Sequence, residues 1–301
     1  MKKNKLSLTV GIVTCYGDNS ILDTVKSIRA SKGVGNFRFI IVADRVPINP
    51  WLKSQLKKYS VEVIENKGKD SQISKQKQIL TLTKSDLILF TQDDVLFEPQ
   101  TLKTVIKRFE KNPKTSFISI LNKPVKPTNF FEGCLNVGTN IANKMAKYWN
   151  NGDNYLSVIG RFMAFRTEFA KNNINLRAEV ATSDAYYYFS NKLSGGNFEY
   201  IPQVGVMFKN PQNMKEHLRK SSRFQYSKIE MSKYFENLNS FYKVPQNVVV
   251  KALAMEFLSS PIIFMCYIGI FIYTRILRMK PHLVLNAIWE VDLSTKRVLA
   301  K

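Results

Sequence analysis

Apolar and polar positions fall into two alternating periods over the first part of the chain. Leu8–Thr14, Phe37–Val42, Val61–Ile64, Leu87–Thr91 and Ser116–Leu121 are short apolar runs of strand type. Between them Asn19–Ser31, Pro50–Tyr59, Gln72–Thr83 and Thr101–Asn112 carry helical spacing, with Ile21, Val25 and Ile28 as the apolar stripe of the first. Strands and helices alternating at these intervals predict a parallel, doubly wound α/β sheet over roughly the first 120 residues.

The second half is less regular. Asn122–Gly152 reads as polar loop, Val158–Arg166 as an apolar segment and Ser183–Leu193 as a helix. Tyr200–Phe208 is strand-like, and Lys215–Tyr226 is a basic helix that Lys228–Tyr234 continues. Phe257–Thr274 then runs for 18 residues without a charge. As a helix it measures about 27 Å, close to the roughly 30 Å of a bilayer's hydrocarbon layer. Tyr267, Phe271 and Tyr273 lie in it, and Arg275, Arg278 and Lys280 follow. This predicts a helix that spans, re-enters or lies on a membrane. A buried core helix is the alternative.

Composition narrows the chemistry. The 301 residues carry a formal net charge of +22, which attracts polyanions such as phosphorylated substrates and anionic lipid headgroups. The cations are scattered and no nucleic-acid-binding module is present, so nucleic acid is not an expected partner. Cys15, Cys134 and Cys266 have no paired spacing, which excludes a disulfide framework and a cysteine zinc site. His217 and His282 are the only histidines, which argues against a Ser–His or Cys–His nucleophile. Lys2, Lys3 and Lys5 ahead of Leu6–Cys15 resemble a signal peptide, but Ser7 and Thr9 break the short apolar run. It reads as a first strand behind a basic tail.

The sharpest chemical feature is Leu87–Val95, where an apolar strand ends in Gln92–Asp93–Asp94. Ligands of α/β proteins bind at the carboxyl ends of strands. Hard oxygen ligands there suit a divalent cation clamped to a diphosphate. A plain turn also places Asp-Asp after a strand. Asp44 ends the second strand in the same manner, and Asp184 stands at the start of a helix, where Thr182 or Ser183 has the chemistry of a cap.

In their order along residues 6 to 230, these segments resemble the inverting glycosyltransferases of family 2. The resemblance implies a GT-A fold: an α/β, Rossmann-like, mostly parallel sheet flanked by helices, here with a C-terminal apolar membrane-contacting helix. It implies a nucleotide-sugar half at 1–122, an acceptor half at 123–245 and a membrane-associated segment at 246–301. Leu8–Tyr16 matches the opening strand and its loop, with Thr14 and Tyr16 lining the base pocket. Ile40–Asp44 matches the second strand, giving Asp44 a base or ribose contact. Gln92–Asp93–Asp94 stands where the family has its Asp-x-Asp motif, so Asp94 becomes the ligand to Mg²⁺ or Mn²⁺ and Asp93 a contact to ribose or sugar. Lys75 lies where relatives contact the nucleotide.

Gly160–Arg166 matches the glycine-containing segment beside the acceptor, with Gly160 and Arg161 on the acceptor side. Thr182–Tyr186 matches the start of the helix that carries the catalytic base, which is Asp184 here; Glu179 is the nearest alternative. Arg219–Phe224 matches a basic motif whose surviving Arg223 would hold the diphosphate. The implied reaction moves a sugar from a nucleotide sugar, by default a UDP-sugar, to an acceptor hydroxyl. A basic surface and an apolar tail imply an anionic membrane surface as partner, a lipid-linked or saccharide acceptor, and a place on the cytoplasmic face of the cell membrane in polysaccharide synthesis. Gln92 and Ser183 depart from the family's acids, which motivates the alternative of a non-catalytic sugar-binding or scaffold protein.

Overall fold

The computed structural model describes residues 5–288 and 292–296. Lys2 and Lys3 of the basic tail lie outside that range. The first half follows the predicted alternation: β1 (Leu8–Thr14), α1 (Ser20–Arg29), β2 (Arg38–Ala43), α2 (Pro50–Lys58), β3 (Val61–Glu65), α3 (Gln72–Leu82) and β4 (Leu87–Gln92). Every residue of β1 is buried, as befits a parallel strand covered on both faces. Local chemistry sets the helix starts. Asn49 accepts from the Leu52 amide at 2.8 Å ahead of Pro50, and Ser71 accepts from the Ser74 amide at 3.1 Å. Gly11 lets α3 lie close on β1, because a Cβ there would stand 2.7 Å from the Ile79 side chain.

Short β5 (Val95–Phe97) and α4 (Thr101–Lys111) lead to β6 (Thr115–Pro124), α5 (Phe130–Tyr148) and β7 (Phe162–Arg166). Then come α6 (Thr167–Asn173), α7 (Ser183–Leu193), β8 (Asn197–Phe208), α8 (Met214–Met231), α9 (Gln246–Ser259) and α10 (Pro261–Ile276). All eight strands join one sheet in the order β3-β2-β1-β4-β7-β6-β8-β5. The half formed by β3, β2, β1 and β4 is parallel. The other half is mixed: β7 runs antiparallel to both β4 and β6, and β8 is parallel to β6 but antiparallel to β5. The sheet is therefore less uniformly parallel than the sequence predicts, since the pattern of a strand's side chains does not record its direction. Residues 122 and 123 lie within β6.

The core forms two layers. One face of the sheet packs the apolar sides of α1, α2 and α4. The other packs α3 and α6 with an aromatic cluster from α7. In that cluster the Phe117 and Phe165 rings stack at 4.1 Å, and Tyr187 lies 5.3 Å from Phe165.

Two expectations are corrected. Asn122–Gly152 is not loop: it holds the 19 residues of α5. Asn129 caps that helix through the Glu132 amide at 2.8 Å, and Val137 and Ile141 pack against Ala252 and Phe264 of α9 and α10. Phe257–Thr274 is not one helix. Pro261 lacks an N–H and forces its predecessor out of helical geometry; Ser260 sits at φ −155°, ψ 71°. Among the described residues no helix is long and apolar enough to cross a membrane. The resulting hairpin is bound to α5 through buried Glu256, which accepts from Asn140 at 3.0 Å and pairs with Lys144.

Truncating Phe165 to Ala opens a hole beside Phe117, Phe90 and Tyr187. It is expected to cost about 3–5 kcal/mol, read as a lower denaturation midpoint with an unchanged slope.

Candidate active site

The carboxyl ends of β1 and β4, the turn ahead of β7, the start of α7 and the middle of α8 enclose a cleft of about 180 Å³. The segment 292–296 closes one side of it. Thr14, Lys75, Asp93, Asp94, Gly160, Arg161, Asp184 and Arg223 all line it. Residues 14 and 223 of the sequence thus meet in one place. Three buried polar atoms that find no hydrogen-bond partner among the described residues also belong to lining residues: Asp94 Oδ1, Arg161 Nε and Gln72 Nε2. One is an acceptor and two are donors, the complement of a cation with its bound anion.

The acidic pair follows β4 directly. Asp93 is buried; its Oδ2 accepts from the Thr14 hydroxyl at 2.5 Å and its Oδ1 from Lys296. Asp94 Oδ2 accepts from Thr295 at 3.3 Å and lies 3.5 Å from the Lys296 ammonium. No group of three His, Cys, Asp or Glu residues able to hold a metal occurs among the described residues. The unused Asp94 Oδ1 nevertheless fits a hard divalent cation that brings phosphate oxygens as its remaining ligands.

Facing the acids is a basic wall. Lys220 and Arg223 are three residues apart on α8 and so share a face. The guanidinium of Arg161 lies 3.7 Å over the Phe208 ring. Burial lowers the pKa of Arg161 and Arg223, partly offset by Asp94 and Asp184 for Arg161 and by Asp184 for Arg223. Burial, then Arg161, brings Lys220 down to about 7. Lys296 behaves in the opposite way: burial works against its charge, but Asp93 and Asp94 outweigh it and hold the ammonium above the usual lysine range. Cys15 lines the cleft with its thiol pushed up by burial, which makes it a poor nucleophile.

Asp184 is half-buried at the second position of α7, near the helix's positive end. Thr182 occupies the cap position but makes no side-chain cap bond. Its hydroxyl goes instead to Glu230 of α8, which also accepts from the Ala181 and Thr182 amides at 2.6 and 2.9 Å. This buried carboxylate fixes the helix start and so the place of Asp184. Glu179 is removed from consideration as the base: it is exposed, 3.7 Å from Arg177, and does not line the cleft.

The structure sets two expected nucleotide contacts, Asp44 and Tyr16, apart from the residues that line the cleft. Asp44 is buried and does not line the cleft. It pairs with Lys75 and accepts from the Asp70 amide at 2.8 Å and Arg45 at 3.3 Å, so its oxygens are committed to holding the loop together. Tyr16 is exposed and stands outside the cleft lining, ahead of Gly17 at φ +40°. Lys75 does line the cleft, but its ammonium is shared between Asp44 and the Thr14 carbonyl at 2.9 Å. Gly160 faces Gln92 and Gln72, whose amide nitrogens lie 3.4 and 3.7 Å from where a Cβ would be. Sequence reasoning missed Lys220, Glu230, Asp292, Thr295 and Lys296. Only Lys220 carried a signal, its helical spacing to Arg223.

The family model described as glycosyltransferase like family 2 matches residues 8–227. The chain belongs to that family. It is a glycosyltransferase with a GT-A-type α/β fold, and the cleft at its strand ends is the candidate active site. Among solved structures, the mannosyltransferase PcManGT from Pyrobaculum calidifontis, in complex with GDP-Man and Mn2+, superposes with a TM-score of 0.58 at 13% identity, covering 93% of this chain and 78% of that one. Residues 1–349 of S. aureus TarS in complex with UDP-GlcNAc give a TM-score of 0.54 at 14% identity, covering 84% of this chain and 81% of that one. At such identities the likeness is one of fold. No curated protein matches the sequence.

The lowered Lys220 has a measurable sign. In the unfolded chain it titrates near 10.5, so between about pH 7 and 10.5 the unfolded state binds the extra proton and this group adds stability as pH rises. A pKa near 7 leaves Lys220 mostly neutral at pH 8, and a diphosphate bound beside it would favour the charged form again. UDP binding at pH 8 is therefore expected to take up as much as about one proton, seen by calorimetry in buffers of different ionisation enthalpy. Lys220→Met should abolish that uptake.

Proposed function

We propose that this glycosyltransferase moves a sugar from a nucleotide sugar, a UDP-sugar in the first instance, to an acceptor hydroxyl with inversion at the anomeric carbon. The observation that carries this reading is the opposition, across one cleft, of an acidic pair, a basic wall and a separate carboxylate at a helix start. Asp93 and Asp94 would hold Mg²⁺ or Mn²⁺, which neutralises charge on the leaving diphosphate when bound. Lys220, Arg223 and Arg161 stabilise the remaining negative charge as the anomeric C–O bond breaks. Asp184 takes the proton of the acceptor hydroxyl as its oxygen bonds to the anomeric carbon. Attack and departure on opposite faces make a single inverting displacement. Gly160, with no side chain, leaves room for the acceptor.

The acceptor in this reading is a lipid-linked saccharide, and the enzyme works on the cytoplasmic face of the cell membrane in polysaccharide synthesis. Supporting it, Leu258, Ile262, Met265, Ile272 and Ile276 of the α9–α10 hairpin are all exposed. Arg275, Arg278 and Lys280 stand beside them. An apolar face rimmed by cations suits insertion into an anionic interface rather than a span across the bilayer.

The mutants separate the two roles. Asp94→Asn should lose metal-dependent binding of UDP-sugars in calorimetry. Asp184→Asn should bind the donor as the wild type does yet transfer about 10²-fold more slowly or worse; normal transfer by this variant would remove Asp184 from the mechanism. In a separate experiment, co-sedimentation with phosphatidylglycerol vesicles should be strong for the wild type and several-fold weaker for Ile262→Glu. Equal binding by both would sink the membrane reading while leaving the chemistry intact.

A further inference from the structure

The segment Asp292–Lys296 is fastened to the glycosyltransferase domain at one end and inserted into its cation site at the other. Asp292 pairs with Arg219 at 2.5 Å. Ser294 donates through its hydroxyl to Glu216 and accepts from the Gln212 amide at 3.0 Å. Beyond these anchors Lys296 bonds Asp93 Oδ1 and lies 3.5 Å from Asp94 Oδ2, which Thr295 also contacts at 3.3 Å. The segment thus takes up two of the pair's four carboxylate oxygens, Asp93 Oδ1 and Asp94 Oδ2, and leaves Asp94 Oδ1 next to a fixed positive charge. A metal ion and an ammonium cannot share them, because two like charges a few ångströms apart in a partly buried site repel strongly.

Size gives a second, independent argument. With the segment in place the cleft holds about 180 Å³. Clefts that take ligands of drug size, which a nucleotide sugar exceeds, run to roughly 300–1,000 Å³. Withdrawal of a lining segment would bring the cleft towards that size. Of the lining elements, the sheet ends and α7 are fixed by core packing, whereas 292–296 is held by a few polar contacts.

We propose that Asp93–Asp94 is a two-state cation site, occupied by the Lys296 ammonium in the ligand-free enzyme and surrendered to the divalent cation of the incoming donor, so that 292–296 is an internal competitor that gates donor loading. This rests on the donor reading of the cleft. Exchanging one cation for another keeps both carboxylates neutralised, whereas withdrawing Lys296 alone would leave buried charge unpaired and is strongly disfavoured. Occupancy of the closed state lowers the apparent affinity for metal by the fraction of molecules that are open.

The test uses the full chain. Mn²⁺ alone is titrated by electron paramagnetic resonance against wild type, Lys296→Ala and Asp292→Asn. Lys296→Ala should tighten Mn²⁺ binding about tenfold or more. Asp292→Asn removes a negative charge, so electrostatics alone would weaken Mn²⁺ binding; release of the segment should tighten it instead. Hydrogen exchange of peptides spanning 292–296 should speed up on adding Mn²⁺ and UDP together. Unchanged or weaker Mn²⁺ binding in both variants, or slower exchange in the complex, overturns the proposal and makes Lys296 a ligand of the donor. The Mn²⁺ titration needs no nucleotide. Failure to bind any nucleotide would therefore defeat the donor reading while the two variants still decide on the gate.

Discussion

Asp93 and Asp94 stand side by side at the end of a strand buried on both faces, and two carboxylates so placed require positive charge nearby. Much of the surrounding architecture answers that requirement. Thr14, from the adjacent strand, donates to one acid. Lys296 reaches both, 203 positions from Asp93 and 202 from Asp94 in the sequence. Arg161 and Arg223 add cationic character that burial alone would discourage. Burying so many cations is tolerable only because acids face them. Once the acids are fixed at the sheet edge, the sign of the rest of the cleft follows.

The same requirement is met locally at Asp44, and there it leads to a different outcome. Asp44 and Lys75 neutralise one another beside the cleft, and the Asp70 amide and Arg45 complete the carboxylate. The result is a rigid floor beneath the loop that follows β1. From sequence the two sites look alike, an apolar strand ending in aspartate; in the structure Asp93 and Asp94 line the cleft and Asp94 Oδ1 finds no partner among the described residues, whereas Asp44 lies outside the lining.

The legible parts of the chain are those whose signals are local. Apart from the unexpected short strand β5, the elements from β1 to β6 lie within a few residues of their expected bounds, because continuous apolar runs and caps such as Asn49 and Ser71 act over short distances. Helix α5 was not legible: Gly133 and Gly138 and the asparagines at 136, 140 and 143 lower its intrinsic propensity, and packing against α9 and α10 supplies what propensity lacks. Gly138 is there for contact, since Tyr267 occupies the space a Cβ would need. The antiparallel placement of β7 had no local signature either. The acidic pair, Asp184 and Arg223, each singled out by a short motif of recognisable chemistry at or within an element, line one cleft. Lys296 could not be read, since nothing near it in the sequence hints at its partners.

Helix α8 joins features that were described separately. It presents Lys220 and Arg223 to the cleft, holds the start of α7 through Glu230, and anchors 292–296 through Glu216 and Arg219. It also receives the end of the C-terminal hairpin, where Gln225 donates to the Thr274 carbonyl at 3.1 Å and Ser222 accepts from the Met279 amide at 2.8 Å. A rod with this many attachments has little freedom to be redesigned. Changes made on it would disturb the start of α7, the basic side of the cleft and the hairpin together. Gly160 itself, where an added side chain would meet only the Gln92 and Gln72 amides, is the more tractable place to retune the enzyme.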